Sequence, residues 1–267
     1  MKILTLNTHS LVDDTIPDPA GQTAALIADR QIDLIALQEV NQTIAKEMVQ
    51  PPELYVGQAD LREDNYALEL SRALSRLGCM YEWTWLPMKV GYDRYDEGLA
   101  LFSRLPIMKQ DNFLLSKTND YHVWKKRDAL GIEVVSGEDS CWIYTMHMGW
   151  WNDEEEPFLP QWQRFMEHVP SGKIFLAGDF NAPDDRKNES YETILGDGWL
   201  DTRTLADQCS GRFTTGSGID GWNQAREGMR IDYIFTNQQM KITNSEVVFD
   251  GKKTPRISDH FGLLMEE

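Results

Sequence analysis

Short apolar runs, each ended by a cluster of turn-forming residues, recur along almost the whole chain. Ten of them read as strands: 2–9, 33–40, 81–90, 97–103, 129–135, 141–148, 173–180, 231–236, 242–249 and 261–265. All are rich in β-branched, Leu or aromatic residues, the composition of a pleated, buried surface. Three segments between them carry a helical period instead. Segment 21–30 is one, and 64–77 places Leu70, Ala73, Leu74 and Leu77 on one face. In 154–169, acidic residues lead and Phe165 and Val169 stand four apart, as at a helix start and along its buried stripe. Many strands with interspersed helices predict two packed sheets with helices outside, in one α/β domain spanning 1–267. No repeat, low-complexity tract or Pro/Gly/Ser linker divides the sequence.

Several apolar strands end in polar residues. Ile3-Leu4-Thr5-Leu6 runs into Asn7, and Leu34-Ile35-Ala36-Leu37 into Gln38-Glu39. Trp142-Ile143-Tyr144-Thr145-Met146 runs into His147, and Ile174-Phe175-Leu176-Ala177 into Gly178-Asp179-Phe180-Asn181. Taken singly, each would be a turn or cap. Four together mark the place where ligand sites of layered folds form, because side chains converge where the backbone leaves the core. Strand alternation puts Asn7 and His9 on one face, and Asp179 and Asn181 on another.

Composition narrows the chemistry. With 41 % hydrophobic residues among 267, the chain can bury a large core. No stretch has the form of a signal peptide or the length of a membrane span, so a cytoplasmic protein without a membrane partner is expected. Cys79, Cys141 and Cys209 are odd in number and lie outside any C-x-x-C spacing, which predicts separate, mostly buried thiols. The net charge of −17 disfavours nucleic acid as a partner, since phosphate neutralisation dominates that affinity.

In this order the segments resemble the endonuclease/exonuclease/phosphatase superfamily. The carrying motifs are Leu6-Asn7, Gln38-Glu39, Glu97-Gly98-Leu99-Ala100-Leu101-Phe102-Ser103-Arg104 and Thr145-Met146-His147. They continue with Gly178-Asp179-Phe180-Asn181, Arg230-Ile231-Asp232-Tyr233-Ile234-Phe235 and Ser258-Asp259-His260. The resemblance implies a four-layer α/β/β/α sandwich of the DNase-I-like kind with a divalent metal, Mg²⁺ or Mn²⁺, at the strand ends. It implies Glu39 as the main metal ligand with Asn7 and Asp259 beside it. Asp179 would orient or deprotonate the attacking water, and Asn181 would hold that water or a phosphate oxygen. His260, oriented by Asp232, would stabilise the phosphoryl oxygens, and His147, supported by Glu97, would be a second group on the phosphate side.

Elementary electrostatics agrees with such an assignment. Five carboxylates at one mouth repel a phosphate dianion, and one uncompensated charge pair at ~4 Å costs several kcal/mol at a protein surface. A bound cation reverses that sign. Mg²⁺ is content with one or two carboxylates and several waters.

Three stretches look specific to a subgroup: Asn7-Thr8-His9-Ser10, Trp124-Lys125-Lys126-Arg127 and His147-Met148-Gly149-Trp150-Trp151-Asn152-Asp153. They resemble the bacterial branch of maltose 6′-phosphate phosphatase-like proteins, which implies a small phosphorylated sugar as substrate. His9 could then bind a terminal phosphate. Lys126 and Arg127 read equally as a phosphate clamp or as a solvated charge run. Trp150 and Trp151 would wall the pocket, whereas Trp83, Trp85, Tyr92 and Tyr95 suit core packing. His122 and His168 lie outside the motifs and read as structural. The competing expectations are a phosphodiesterase, either a nuclease or a sphingomyelinase-like enzyme, and a non-catalytic module on the same fold. The last predicts decay of an essential position, and Asn7, Glu39, Asp179, Asn181, Asp259 and His260 are all present.

Overall fold

A computed structural model describes residues 1–13, 15–137, 139–219 and 221–267. Along the chain run β1 (Lys2–Asn7), α1 (Pro19–Arg30), β2 (Leu34–Thr43), β3 (Met48–Val49), β4 (Leu61–Arg62), α2 (Tyr66–Arg76), β5 (Glu82–Gly91) and β6 (Tyr95–Ser103). Then come β7 (Ile107–Leu114), β8 (Asp128–Ser136), β9 (Asp139–His147), α3 (Phe158–His168), β10 (Lys173–Asp179) and α4 (Ser190–Gly196). The last are β11 (Leu200–Asp201), α5 (Thr202–Leu205), β12 (Ala206–Ser210), β13 (Asp232–Thr236), β14 (Ile242–Val248) and β15 (Gly262–Glu266).

Two sheets carry the fold. One has the order β12-β14-β15-β1-β2-β6-β5 and the other β11-β13-β10-β9-β8-β7. Both mix parallel and antiparallel pairs: β1 runs parallel to β2 and β10 to β9, while β13 returns antiparallel to β10. Between the sheets lies a dry core built from every second residue of the facing strands, among them Ile3, Leu34, Ala36, Leu101, Ile132, Ile143, Phe175 and Ile234. The opposite residues of the first sheet pack under α1 and α2 through Leu6, Ile35, Leu70 and Leu74. The second sheet packs in the same way under α3 and α4 through Tyr144, Phe165, Leu176 and Ile194. The architecture is the helix–sheet–sheet–helix sandwich expected. Gln38 links the two sheets through the core, donating from Nε2 to Thr145 Oγ1 at 2.8 Å.

The helix starts follow their caps. Asp18 accepts from Gly21 N and Pro19 opens α1, while Asn65 accepts from Leu68 N ahead of α2. Segment 154–169 begins its helix only at Phe158, because the Glu156 carboxylate turns back to accept the backbone N–H groups of Lys117 and Thr118. Strand β7 has no counterpart in the apolar pattern, since its exposed positions carry Met108, Lys109, Gln110 and Asn112 at a sheet edge. Of the three thiols, all free, Cys141 is buried, Cys79 half-buried and Cys209 exposed, so burial is less general than expected.

Candidate active site

The polar residues that end β1, β9 and β10, Glu39 within β2, the start of β13 and the turn before β15 meet at one edge of the sandwich. Most of them line a cavity of about 460 Å³ together with a ring of aromatic residues. Local backbone geometry puts them there. Glu39 sits at φ 50° where the register of β2 on β6 shifts between Leu37 and Val40, and this bulge turns its side chain out of the sheet. The neighbouring turn pins that bulge: Thr8 Oγ1 and Ser10 Oγ each donate to the Glu39 carbonyl at 2.8 Å. His9 itself is left-handed, at φ 43°, so it reaches the site from a turn rather than by alternation along β1. Asn181 is likewise at φ 48°, beyond the end of β10, and not on the strand face of Asp179. Gly178 is required beside the neighbouring strand, because a Cβ there would collide with the Met146 carbonyl of β9.

Asn7 joins the two halves of the site. Its Nδ2 donates to Glu39 Oε1 at 2.8 Å and to Asp179 Oδ2 at 3.1 Å. Asp179 Oδ2 is 3.6 Å from His147 Nε2 and 3.7 Å from His260 Nε2. Asp232, directly opposite Asp179 in the sheet register, holds His260 Nδ1 at 3.0 and 3.1 Å. Asn181 is fixed on both sides: its Nδ2 donates to the Met148 carbonyl, and its Oδ1 accepts from Trp222 Nε1. Ser258 Oγ donates to the Asn7 carbonyl at 2.8 Å, tying the Ser-Asp-His turn to β1.

These neighbours set opposite charge states. Burial works against a charged His260, but Asp232 and Asp179 outweigh it and raise its pKa to about 10. Burial and the nearby Arg127 push His147 well below the usual histidine range, so it is neutral. Burial also raises Asp179, and the adjoining Asp232 adds to the effect. Burial would raise Glu39 as well, yet His9, His147 and Asn7 together hold it well below the ordinary carboxylate range.

Most predicted site residues converge on this cavity: His9, Glu39, Glu97, Arg127, His147, Trp150, Asp179, Asn181, Asp259 and His260 all line it. Asn7 and Asp232 stand directly behind them. Others have different partners. Glu97 pairs with Lys89 Nζ at 3.0 Å, because Lys89 faces it across the β5–β6 register, and it is not the support of His147. The basic run splits: Lys125 pairs with Asp153 and Glu155, Lys126 with Asp128, and only Arg127 faces the cavity. Trp151 packs on Phe158 instead of walling the pocket. His168 is structural as expected, stacked 3.7 Å from Phe113, whereas His122 lines the cavity. Lys89, which the sequence reading missed, also lines it, as do Trp124 and Tyr92, the latter expected in the core; Tyr92 is 51 % and Trp124 52 % exposed at the mouth.

Arg127 Nε, His147 Nδ1 and Trp150 Nε1 are buried without a hydrogen-bond partner, and all three residues line this cavity. Orphaned polar groups converging on one space mark it as built for a polar ligand. The donor chemistry also suits a divalent cation. Glu39 and Asp259 supply hard oxygen donors on the cavity wall, a number of carboxylates typical of Mg²⁺ sites. Asp179, Asp232 and His260 form another group whose ligand atoms lie within 4.8 Å of one another, but there Asp232 already holds the imidazole.

Comparison with known proteins decides the family. The profile of the endonuclease/exonuclease/phosphatase family matches residues 4–260. The chain belongs to that family. An endonuclease/exonuclease/phosphatase family protein from Leptotrichia buccalis C-1013-b shares 30 % identity and superimposes with a TM-score of 0.89, covering 100 % of this chain and 98 % of that one. Two more distant structures share the fold. One is a mannosyl-6-phosphatase from Bacteroides thetaiotaomicron VPI-5482, with 19 % identity, a TM-score of 0.69 and coverage of 100 % and 98 %. The other is TDP2 from D. rerio complexed with a single-strand DNA product, with 15 % identity, a TM-score of 0.66 and coverage of 99 % and 97 %. None of the curated proteins matches the chain. As a member of the family the protein is a metal-dependent phosphoric ester hydrolase. Among the described residues no helix is long and apolar enough to cross a membrane.

Proposed function

We propose that this protein is a Mg²⁺-dependent phosphomonoesterase acting on a small sugar phosphate, of which maltose 6′-phosphate is the leading candidate. The observation that carries the reading is the mixed lining of the cavity. Glu39 and Asp259 share it with buried Lys89 and Arg127, with neutral His147 and with the aromatic residues Tyr92, Trp124 and Trp150. A terminal phosphate fits between these groups, and flat aromatic faces suit a sugar ring behind it. The mouth adds Asp93 rather than further cations, which is unfavourable to a nucleic-acid backbone.

Glu39 and Asp259 would hold the ion, which when bound supplies positive charge to the phosphoryl oxygens. Asp179, raised towards neutrality, accepts the proton of the attacking water as the water oxygen bonds to phosphorus and the ester P–O bond breaks, and the departing sugar oxygen takes a proton from solvent. His260, kept cationic by Asp232, donates to a phosphoryl oxygen. Arg127 and His147 fix the phosphate for in-line attack. The fold shared with TDP2 keeps a phosphodiesterase as the second reading.

A single panel separates the two. Phosphate release from sugar phosphates, nucleotides and abasic-site DNA is compared in one Mg²⁺ buffer. The sugar phosphates are expected to be turned over fastest, and preferential cleavage of DNA would overturn the assignment.

A further inference from the structure

We infer that Trp222 is a positioning residue of the reaction: its indole N–H fixes the orientation in which the Asn181 side chain meets the substrate. The inference rests on the reading of Asn181 as a group that holds the attacking water or a phosphate oxygen. Asn181 lines the active-site cavity and is 4 % exposed. Trp222 stands behind it and lines a neighbouring cavity of about 530 Å³ with Arg186, and Gly221 belongs to the walls of both. Trp222 Nε1 donates to Asn181 Oδ1 at 2.9 Å, and Asn181 Nδ2 donates to the Met148 carbonyl at 2.9 Å. An indole N–H only donates and a carbonyl only accepts, so the two partners together specify which amide atom lies on which side. One Nδ2 hydrogen is then left for a water or phosphoryl oxygen. Without the indole, Oδ1 becomes an acceptor short of its partner, and the amide is held by one bond.

The indole is itself held in place. Arg186, on the same loop after β10 as Asn181, lies 4.8 Å over the Trp222 ring. Trp222 N donates to the carbonyl of buried Ile219, and the Trp222 carbonyl accepts from Ala225 N, both at 2.9 Å. Gly221, at φ 78°, packs against the Trp150 ring so closely that a Cβ there would stand only 2.4 Å from it. Trp222 therefore joins two parts of the site that are 41 positions apart in the chain, the loop that carries Asn181 and the turn that backs Trp150. The effect extends to the proton acceptor. Asn181 N donates to Asp179 Oδ1 at 2.9 Å, so a residue that steadies Asn181 also steadies the carboxylate assigned to the water.

The test begins with Trp222→Phe, which keeps a ring under Arg186 and deletes the N–H. With Mg²⁺ and the fastest-cleaved ester of the substrate panel, kcat is expected to fall on the order of tenfold while KM changes by less than about twofold. The loss should vanish in an Asn181→Ala background, because both changes act through one amide, so the double variant should be no slower than Asn181→Ala alone. Two-dimensional ¹H–¹⁵N NMR of the full chain gives a readout independent of turnover. The indole signal missing from Trp222→Phe belongs to Trp222, and Asn181→Ala should move it upfield as the hydrogen bond is lost. Should Trp222→Phe fail to fold, judged by circular dichroism, Trp222→Leu takes its place in both measurements. Unchanged kcat in Trp222→Phe, a loss carried by KM, the same fold-loss in both backgrounds, or an indole signal indifferent to Asn181→Ala overturns the inference. Wild-type turnover in Asn181→Ala refutes instead the reading of Asn181 on which the inference rests, and the inference falls with it.

Discussion

At the residue scale, the site works by giving similar side chains opposite charge states. His260 and His147 are both buried and both lie within 4 Å of Asp179, yet Asp232 overrides burial to keep the first cationic, while burial together with Arg127 keeps the second neutral. In chelator-treated protein, imidazole NMR should show His260 holding its proton until about pH 10 and His147 without a proton at neutral pH. Because the folded pKa of His260 is raised, its contribution to stability is fully present below the unfolded value of about 6.5 and is lost as pH rises through about 10. An ordinary midpoint near 6.5 for His260 would contradict the charge assignment. Asp179→Asn removes the proton acceptor while keeping its shape, so turnover should fall by roughly 10²–10⁴ with unchanged circular dichroism. Wild-type turnover in that variant would remove Asp179 from the water. Glu39, His147 and Asp179 could be found in the sequence because each follows an apolar run, whereas His260 came only from the Ser258-Asp259-His260 family motif. Lys89 could not, since only the β5–β6 register places it against Glu97. The 125–127 run misled for a related reason: consecutive side chains diverge, and Asp128 and Asp153 claim the two lysines.

At the element scale, buried ion pairs hold the strands that present the site. Arg230 is 5 % exposed, donates twice to Asp201 at 2.6 and 2.7 Å, and lies 4.5 Å over the Tyr233 ring. It clamps the entry of β13, two residues before Asp232, to the end of β11. Arg230→Ala leaves Asp201 buried and uncompensated, which should cost about 3–5 kcal/mol in urea unfolding. A loss below about 1 kcal/mol would show that the pair contributes little. Most large strands were legible from their apolar runs, to within a few residues. Strand β7 was not, because an edge strand needs only one buried face and its polar residues hide it. The two-residue strands β3, β4 and β11 are too short to carry any period.

At the scale of the whole molecule, residues distant in sequence become neighbours because β1 and β10 face each other across the inter-sheet core. Asn7 and Asp179, 172 positions apart, are joined by one hydrogen bond. No periodicity predicts that meeting; only the ordered set of family motifs implied it. The packing leaves Glu39, Glu97, Asp179 and Asp259 around one cavity, where Lys89, Arg127 and cationic His260 offset only part of their charge and a bound cation would turn the balance in favour of a phosphate ester. The most direct test measures inorganic phosphate released from a sugar phosphate by protein exhaustively treated with chelator, before and after Mg²⁺ is returned, for wild type and Glu39→Ala. Release should vanish on metal removal, recover with Mg²⁺ in wild type and fail to recover in Glu39→Ala. Undiminished release from the stripped wild-type protein would contradict the account.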